Sequence, residues 1–144
     1  MRWPAHCTGP HVSARRYQDL VAWQLANKLK IGVYEIIDTS TARNDFRFAT
    51  QVKQAASSAP ANLAEGFGAY HHGEFARYVR IAGSSLFEVH CHLGDGVDRG
   101  HWSRKIASDQ QQLANRAIRA CTGLLRYLAR SKAPEFRGDK KDGR

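Results

Sequence analysis

The last helical stretch of the chain carries the residue types best suited to grip a ligand. Lys105, Arg116, Arg119, Arg126 and Arg130 fall on one side of a helix that turns about 100° per residue. Guanidinium groups repeated in this way can meet successive phosphates, each in a forked geometry. Residues 99–132 hold +7 of the net charge of +9, with Asp109 as their sole acid. Such a surface suits RNA or DNA, held through phosphates rather than through base edges. A solvated face that keeps the chain soluble is the plainer alternative, and a protein partner is another. Trp102 and Tyr127 lie near the charge and can stack on bases, although a core or interface position suits them better.

The other chemistry-bearing residues form no reaction centre. His90 and His92, flanking Cys91, are ligand types, but they stand about 200° apart on a helix and cannot share one ion from one face. Cys121 does not repair that geometry. His6, Cys7 and His11 fare no better, and His71-His72 read as solvated turn residues. The three cysteines form no CxxC and read as small hydrophobes plus one loose thiol. A di-iron bundle needs paired Glu-x-x-His helices; the nearest spacing, Asp98 to His101, straddles Gly100. There is no GxSxG, HExxH or P-loop lysine. Glu65 and Glu88 lack a nucleophile or metal to work with. With Asn62 and Ser85 they are expected to hydrogen-bond across helices or to another subunit. No catalytic residue, metal or cofactor follows, so the expectation is a protein that is not an enzyme. A metal-dependent enzyme is the remote alternative.

The elements that position these residues are helices. The chain has 144 residues, 42% of them apolar, which suits one domain with a real core. No apolar run approaches the ~18 residues of a membrane span, and the start lacks an apolar leader segment. A cytoplasmic protein is the expectation. Residues 1–16 read as a flexible arm, 17–132 as the helical unit and 133–144 as a disordered charged tail.

In the first helix, capped by Asp19, Ala22, Ala26, Leu29, Val33 and Ile36 form the stripe. After a break at Thr39–Asn44, Asp45 caps a second helix from Phe46 to about Gly66. It carries Phe48, Val52, Ala55, Ala56, Ala59 and Leu63, and is expected to kink at Pro60 rather than stop at Ser57–Ser58. Gly66 and Gly68 are expected to end it in the left-handed conformation. Phe75, Val79, Ala82, Leu86, Val89 and Leu93 give the third helix the seam of a bundle. Gly83 to Ser85 read as a close approach to a neighbour, and Gly94, Gly96 and Gly100 as the unravelling end. The fourth helix, from Ser103 to about Lys132, buries Ile106, Leu113, Ala117, Ala120, Cys121, Leu124 and Leu128. Four helices with short connections and no strand signal predict an all-α, up-down-up-down antiparallel four-helix bundle.

Three blocks, YQDLVAWQLANKL, QVKQAASSAPANLAEGFG and EFARYVRIAGSSLFE, give the chain a family resemblance. In this order and separation they resemble the small bacterial four-helix-bundle proteins encoded in intervening sequences of 23S ribosomal RNA genes. The chain is also similar to the accessory protein of diversity-generating retroelements, a basic bundle that works beside a reverse transcriptase and nucleic acid. The resemblance covers about Tyr17 to Leu93, more weakly the fourth helix, and implies a homopentameric ring without catalytic residues. Where the family pattern has acidic or amide residues after the SLxE block, this chain has Val89-His90-Cys91-His92.

The residues and the resemblance together predict a homo-oligomeric helical binding protein that contacts nucleic acid through its basic helix. The alternative is a protein–protein interaction scaffold with no nucleic-acid role. Tyr17, Trp23, Tyr34, Phe67, Tyr70, Phe87 and Trp102 lie off or beside the core stripes and are the expected subunit contacts.

Overall fold

The computed structural model describes residues 14–69 and 71–130. The expectations for His6, Cys7, His11, Tyr70, Lys132 and the tail, and most of those for the arm, lie outside the described residues. Four helices follow one another: α1 (Val21–Thr39), α2 (Phe46–Phe67), α3 (His72–Asp98) and α4 (Arg104–Arg130). Each packs on its sequence neighbour and α4 closes against α1, consistent with an up-down bundle. No strand interrupts them among the described residues.

The α2 and α3 stripes are buried as their spacing predicts, with Val52, Ala59, Leu63, Val79, Leu86, Val89 and Leu93 closed to solvent. Two stripes shift at their ends. In α1 the fully buried position is Ile37, while Ile36 is only half-buried. In α4 it is Ala107 that turns inward, and Ile106 stays 42% exposed. Both isoleucines sit beside turns, where the next segment's path rather than the 3.6-residue period decides which side is covered.

Capping follows the sequence at two starts and departs from it at a third. Asp45 accepts from the Phe48 N–H at the start of α2, and Ser103 from the Ile106 N–H at the start of α4. Asp19 does not cap α1. It closes a 3-10 turn (Tyr17–Asp19) by accepting from the Arg15 and Arg16 N–H groups at 3.0 and 3.3 Å. That turn brings Leu20 to the N-cap of α1, without a side-chain bond.

Pro60 lies inside a continuous, buried stretch of α2. The turns around it gain side-chain support: Asn62 donates to the Ser58 carbonyl at 2.8 Å and Ser57 to the Gln54 carbonyl at 3.1 Å. These bonds help offset the loss of one helical hydrogen bond.

The glycines work differently from the expectation. Neither Gly66 nor Gly68 is left-handed; Gly68 has φ −77°, and among the described residues only Gly100, at φ 77°, has a positive value. Gly66 is a contact point, since a Cβ there would stand 2.7 Å from the Phe75 ring and 2.8 Å from Tyr78 Cβ. Gly94 and Gly96 do not unravel α3, which runs on to Asp98. A Cβ at position 96 would fall inside the Trp102 indole. Gly83, expected at a close approach, faces open space.

Alanine substitution in α3 therefore has two opposite outcomes. Gly83→Ala is expected to stabilise the fold by about 0.5–1 kcal/mol, because helical glycine carries excess backbone entropy and nothing blocks the methyl. Gly96→Ala must displace Trp102 and is expected to cost about 1–3 kcal/mol or more. Urea midpoints of the two variants read both effects.

Candidate nucleic-acid interface

α4 is set against α3 by an identifiable contact. The Gln111 side-chain amide donates to the His90 carbonyl at 3.1 Å and lies beside Gly94. With Leu113, Ala114, Ala117, Cys121 and Leu128 buried, the opposite side of α4 faces solvent. Lys105, Arg116, Arg119, Arg126 and Arg130 are all exposed there, as their spacing predicts.

Their charges differ in availability. Lys105 reaches Asp109 one turn away at 3.2 Å, which offsets its own charge. Arg116, Arg119, Arg126 and Arg130 have no carboxylate within ion-pair distance among the described residues. Of these five, the cations left available are therefore four arginines, held on a helix rather than a loop. Tyr127 and Trp102 do not extend this surface: Tyr127 is half-buried and Trp102 is core.

The expected polar network forms only in part. Ser58 and Ser85 share a hydrogen bond at 2.9 Å between α2 and α3, and Asn62 donates to the Ser58 hydroxyl at 3.1 Å. The two glutamates stay outside it. Glu65 is exposed, and Glu88 pairs within its own helix with His92 at 3.3 Å. Glu88 does, however, edge a shallow groove of about 370 Å³ over Ser58 and Ser85.

The aromatics expected between subunits are mostly used within the protomer. Trp102 is 7% exposed and donates to the Leu93 carbonyl at 2.9 Å, a core role. Phe67 meets Phe75 edge-on, Trp23 meets Tyr17 edge-on, and Lys53 covers Tyr34. Phe87 differs, at 63% exposed.

His90, Cys91 and His92 diverge as their spacing requires. His90 stacks on Phe87, Cys91 is exposed, and His92 turns towards Glu88 and Phe48. Cys121 is buried, and burial pushes its thiol up to about 11, leaving it protonated and inert. No group of three or more potential metal ligands occurs among the described residues.

One constellation has no counterpart in the sequence pattern. Thr41 Oγ1 meets His101 Nδ1 at 2.8 Å, His101 Nε2 meets Asp45 Oδ2 at 3.1 Å, and Arg99 donates to the same oxygen at 3.2 Å. Arg99 also pairs with Asp95 and lies 4.6 Å over the Phe48 ring. A hydroxyl, an imidazole and a carboxylate in line are the parts of a nucleophile relay. Here the carboxylate is already the α2 cap and an arginine partner, so the group latches the α1–α2 turn to the α3–α4 turn. It borders a cleft of about 420 Å³ whose walls include Ile36, Arg43 and Ile106. Only the Asp45 cap is legible in the sequence; partners 54 to 60 positions away carry no local signal.

A family model for the 23S rRNA-intervening sequence protein matches residues 18–123. The chain belongs to that family. No curated protein matches it. The family match takes in α1, α2, α3 and most of α4, including Arg116 and Arg119, and stops short of Arg126 and Arg130. Among the described residues no helix is long and apolar enough to cross a membrane.

The latch has a pH signature. The hydrogen bond from His101, aided by the Phe48 N–H and Arg99 against partial burial, holds the Asp45 carboxyl below its ordinary 3.8. A lowered folded pKa contributes stability above the unfolded value, and that contribution is lost as pH falls through the folded one. Asp45→Asn keeps a capping side chain but removes the charge. Its stability deficit against the parent, measured by urea denaturation, is expected at neutral pH and should close below pH 3.8.

Proposed function

We propose that the protein is a non-enzymatic helical binding protein that assembles with copies of itself and holds nucleic acid through the outer face of α4. The observation that carries this reading is the run of exposed arginines at 116, 119, 126 and 130, without carboxylate partners among the described residues. A face meant only for solubility gains most from mixed charge, whereas this one holds a single sign over four turns. Helical repeats of arginine bind phosphate irrespective of sequence, so the expected ligand is a nucleic-acid backbone.

Charge reversal tests the reading. Arg119→Glu with Arg126→Glu is expected to weaken binding to all sequences alike and to flatten the log–log salt dependence by about one for each phosphate no longer neutralised. Binding that stays unchanged at about 0.15 M salt would remove the arginines from the interface.

Self-assembly into a ring of five is the expectation carried by the family resemblance. The exposed apolar side chains Val21, Ile31 and Ile81 support burial of some helical surface between protomers. Light scattering at micromolar concentration is expected to return a multiple of the 16.1 kDa chain mass; a monomer would overturn this part.

The second reading is a scaffold that docks a protein partner. The polar groove between α2 and α3, edged by Gln51, Gln54 and Glu88, favours it. Retention of a defined protein after nuclease treatment, with no nucleic acid bound at physiological salt, would decide for it.

A further inference from the structure

We infer that the nucleic acid taken by this surface is single-stranded, with Phe87 and His90 as the platform on which an unpaired base stacks, resting on the phosphate-binding reading of α4. The platform is built from two rings on the outer side of α3. Phe87 is 63% exposed in the middle of a long helix, unlike Phe46, which is 79% exposed at the first position of α2. Its ring and that of His90 are stacked, 4° from parallel, with centroids 6.3 Å apart. The half-buried imidazole backs the exposed phenyl ring, which is the part offered to solvent.

The platform lies beside the arginines. The bond from Gln111 to the His90 carbonyl sets residues 90 and 111 opposite each other on packed neighbours. Following that register along the antiparallel pair, Phe87 lies across from about residue 114 and Arg80 from about residue 121. Arg119 therefore falls between the levels of Phe87 and Arg80, and Arg126 follows seven residues, about 10 Å, further along. On α3, Arg80 and Phe87 are separated by only about 20° of helical rotation. The exposed Arg80 joins the surface, with no carboxylate in ion-pair range among the described residues. Between Arg80 and Phe87 stands Gly83, where a Cβ would meet nothing within 4 Å. No side chain at that position obstructs a strand lying along the two helices.

These features distinguish strand from duplex. In a duplex the base faces are already stacked on each other, and only phosphates, sugars and groove edges are on offer. A single strand can splay a base onto an aromatic ring while its phosphates run along a basic surface. Arginines alone would serve both forms. An exposed phenylalanine backed by a parallel imidazole adds affinity only where a base face is free. Stacking tolerates every base, so the surface is expected to bind without sequence preference and to take RNA and DNA strands alike.

The test compares labelled single-stranded RNA, single-stranded DNA and an RNA duplex of equal length, on the full chain, at about 0.15 M salt. Phe87→Ala is expected to lose roughly 5- to 100-fold affinity for both single strands and to leave duplex affinity unchanged. Phe87→Trp should restore the loss, and the mass in solution should not move in either variant. Equal weakening of strand and duplex, no weakening at all, or a fall in oligomer mass with Phe87→Ala would each overturn the platform. The parent reading fails separately. If Arg119→Glu with Arg126→Glu weakens binding while Phe87→Ala does not, the phosphate surface stands and the platform falls. If the unaltered protein binds none of the probes, both fall.

Discussion

The indole of Trp102 occupies the volume that a side chain at position 96 would need, and much of the bundle's geometry hangs on that substitution of ring for methyl. The ring enters because residue 96 is glycine, and it is held by its bond to the Leu93 carbonyl. Phe48 packs against it from α2, with ring centroids 5.8 Å apart. A buried tryptophan of this kind is worth about 3–5 kcal/mol against alanine, a large share of the marginal stability of a small domain. It also fixes where α4 begins. Once Ser103 caps the next residues, the helical period carries the choice of inner and outer side along the whole of α4. The arginines face outward because Leu113, Ala117, Cys121 and Leu128, on the other side of the helix, face the core.

Close approach in the rest of the bundle uses the same means in milder forms. Gly66 lets α2 meet the Phe75 ring, and Ala55, Ala56 and Ala59 keep the middle of that helix narrow. Ser58 and Ser85 place a hydrogen bond where two larger apolar side chains would force the helices apart. A polar pair at a partly buried contact adds direction that alanines lack. It also leaves a polar groove on the outer side of the α2–α3 pair, whereas the α3–α4 side carries arginine and an aromatic ring. The two faces thus differ in chemistry although both arise from small residues at helix contacts.

What is legible in the sequence is what repeats. Periodicity places the stripes of α2 and α3, the caps Asp45 and Ser103, and the arginine side of α4, because each depends on residues within one or two turns. Family blocks carry the rest of the fold. The departures cluster where a partner from elsewhere decides. Ile37 replaces Ile36 and Ala107 replaces Ile106 at turns whose course no local spacing encodes. Glycine reads as a breaker at 66, 94 and 96 because composition shows the missing side chain and not the ring that fills its place. Glu88, expected to bond across helices or to another subunit, has its partner within the protomer four residues on, an arrangement available in any helix. Phe87 belongs by sequence with the other off-stripe aromatics, and only their burial within the protomer sets it apart.

The latch of Thr41, His101, Asp45 and Arg99 bears on the order in which the chain assembles. Neighbouring helices meet through short connections, so the α2–α3 and α3–α4 hairpins close small loops at small entropic cost. The latch joins residues 56 apart, and loop-closure entropy grows with that separation. Both turns lie at the open ends of α2 and α3, so the latch comes within reach only once those two helices have folded back on each other. The same contact that ties one end of the finished bundle together therefore follows the closing of the α2–α3 pair. It acts as a check that α2 and α3 have packed in the right register.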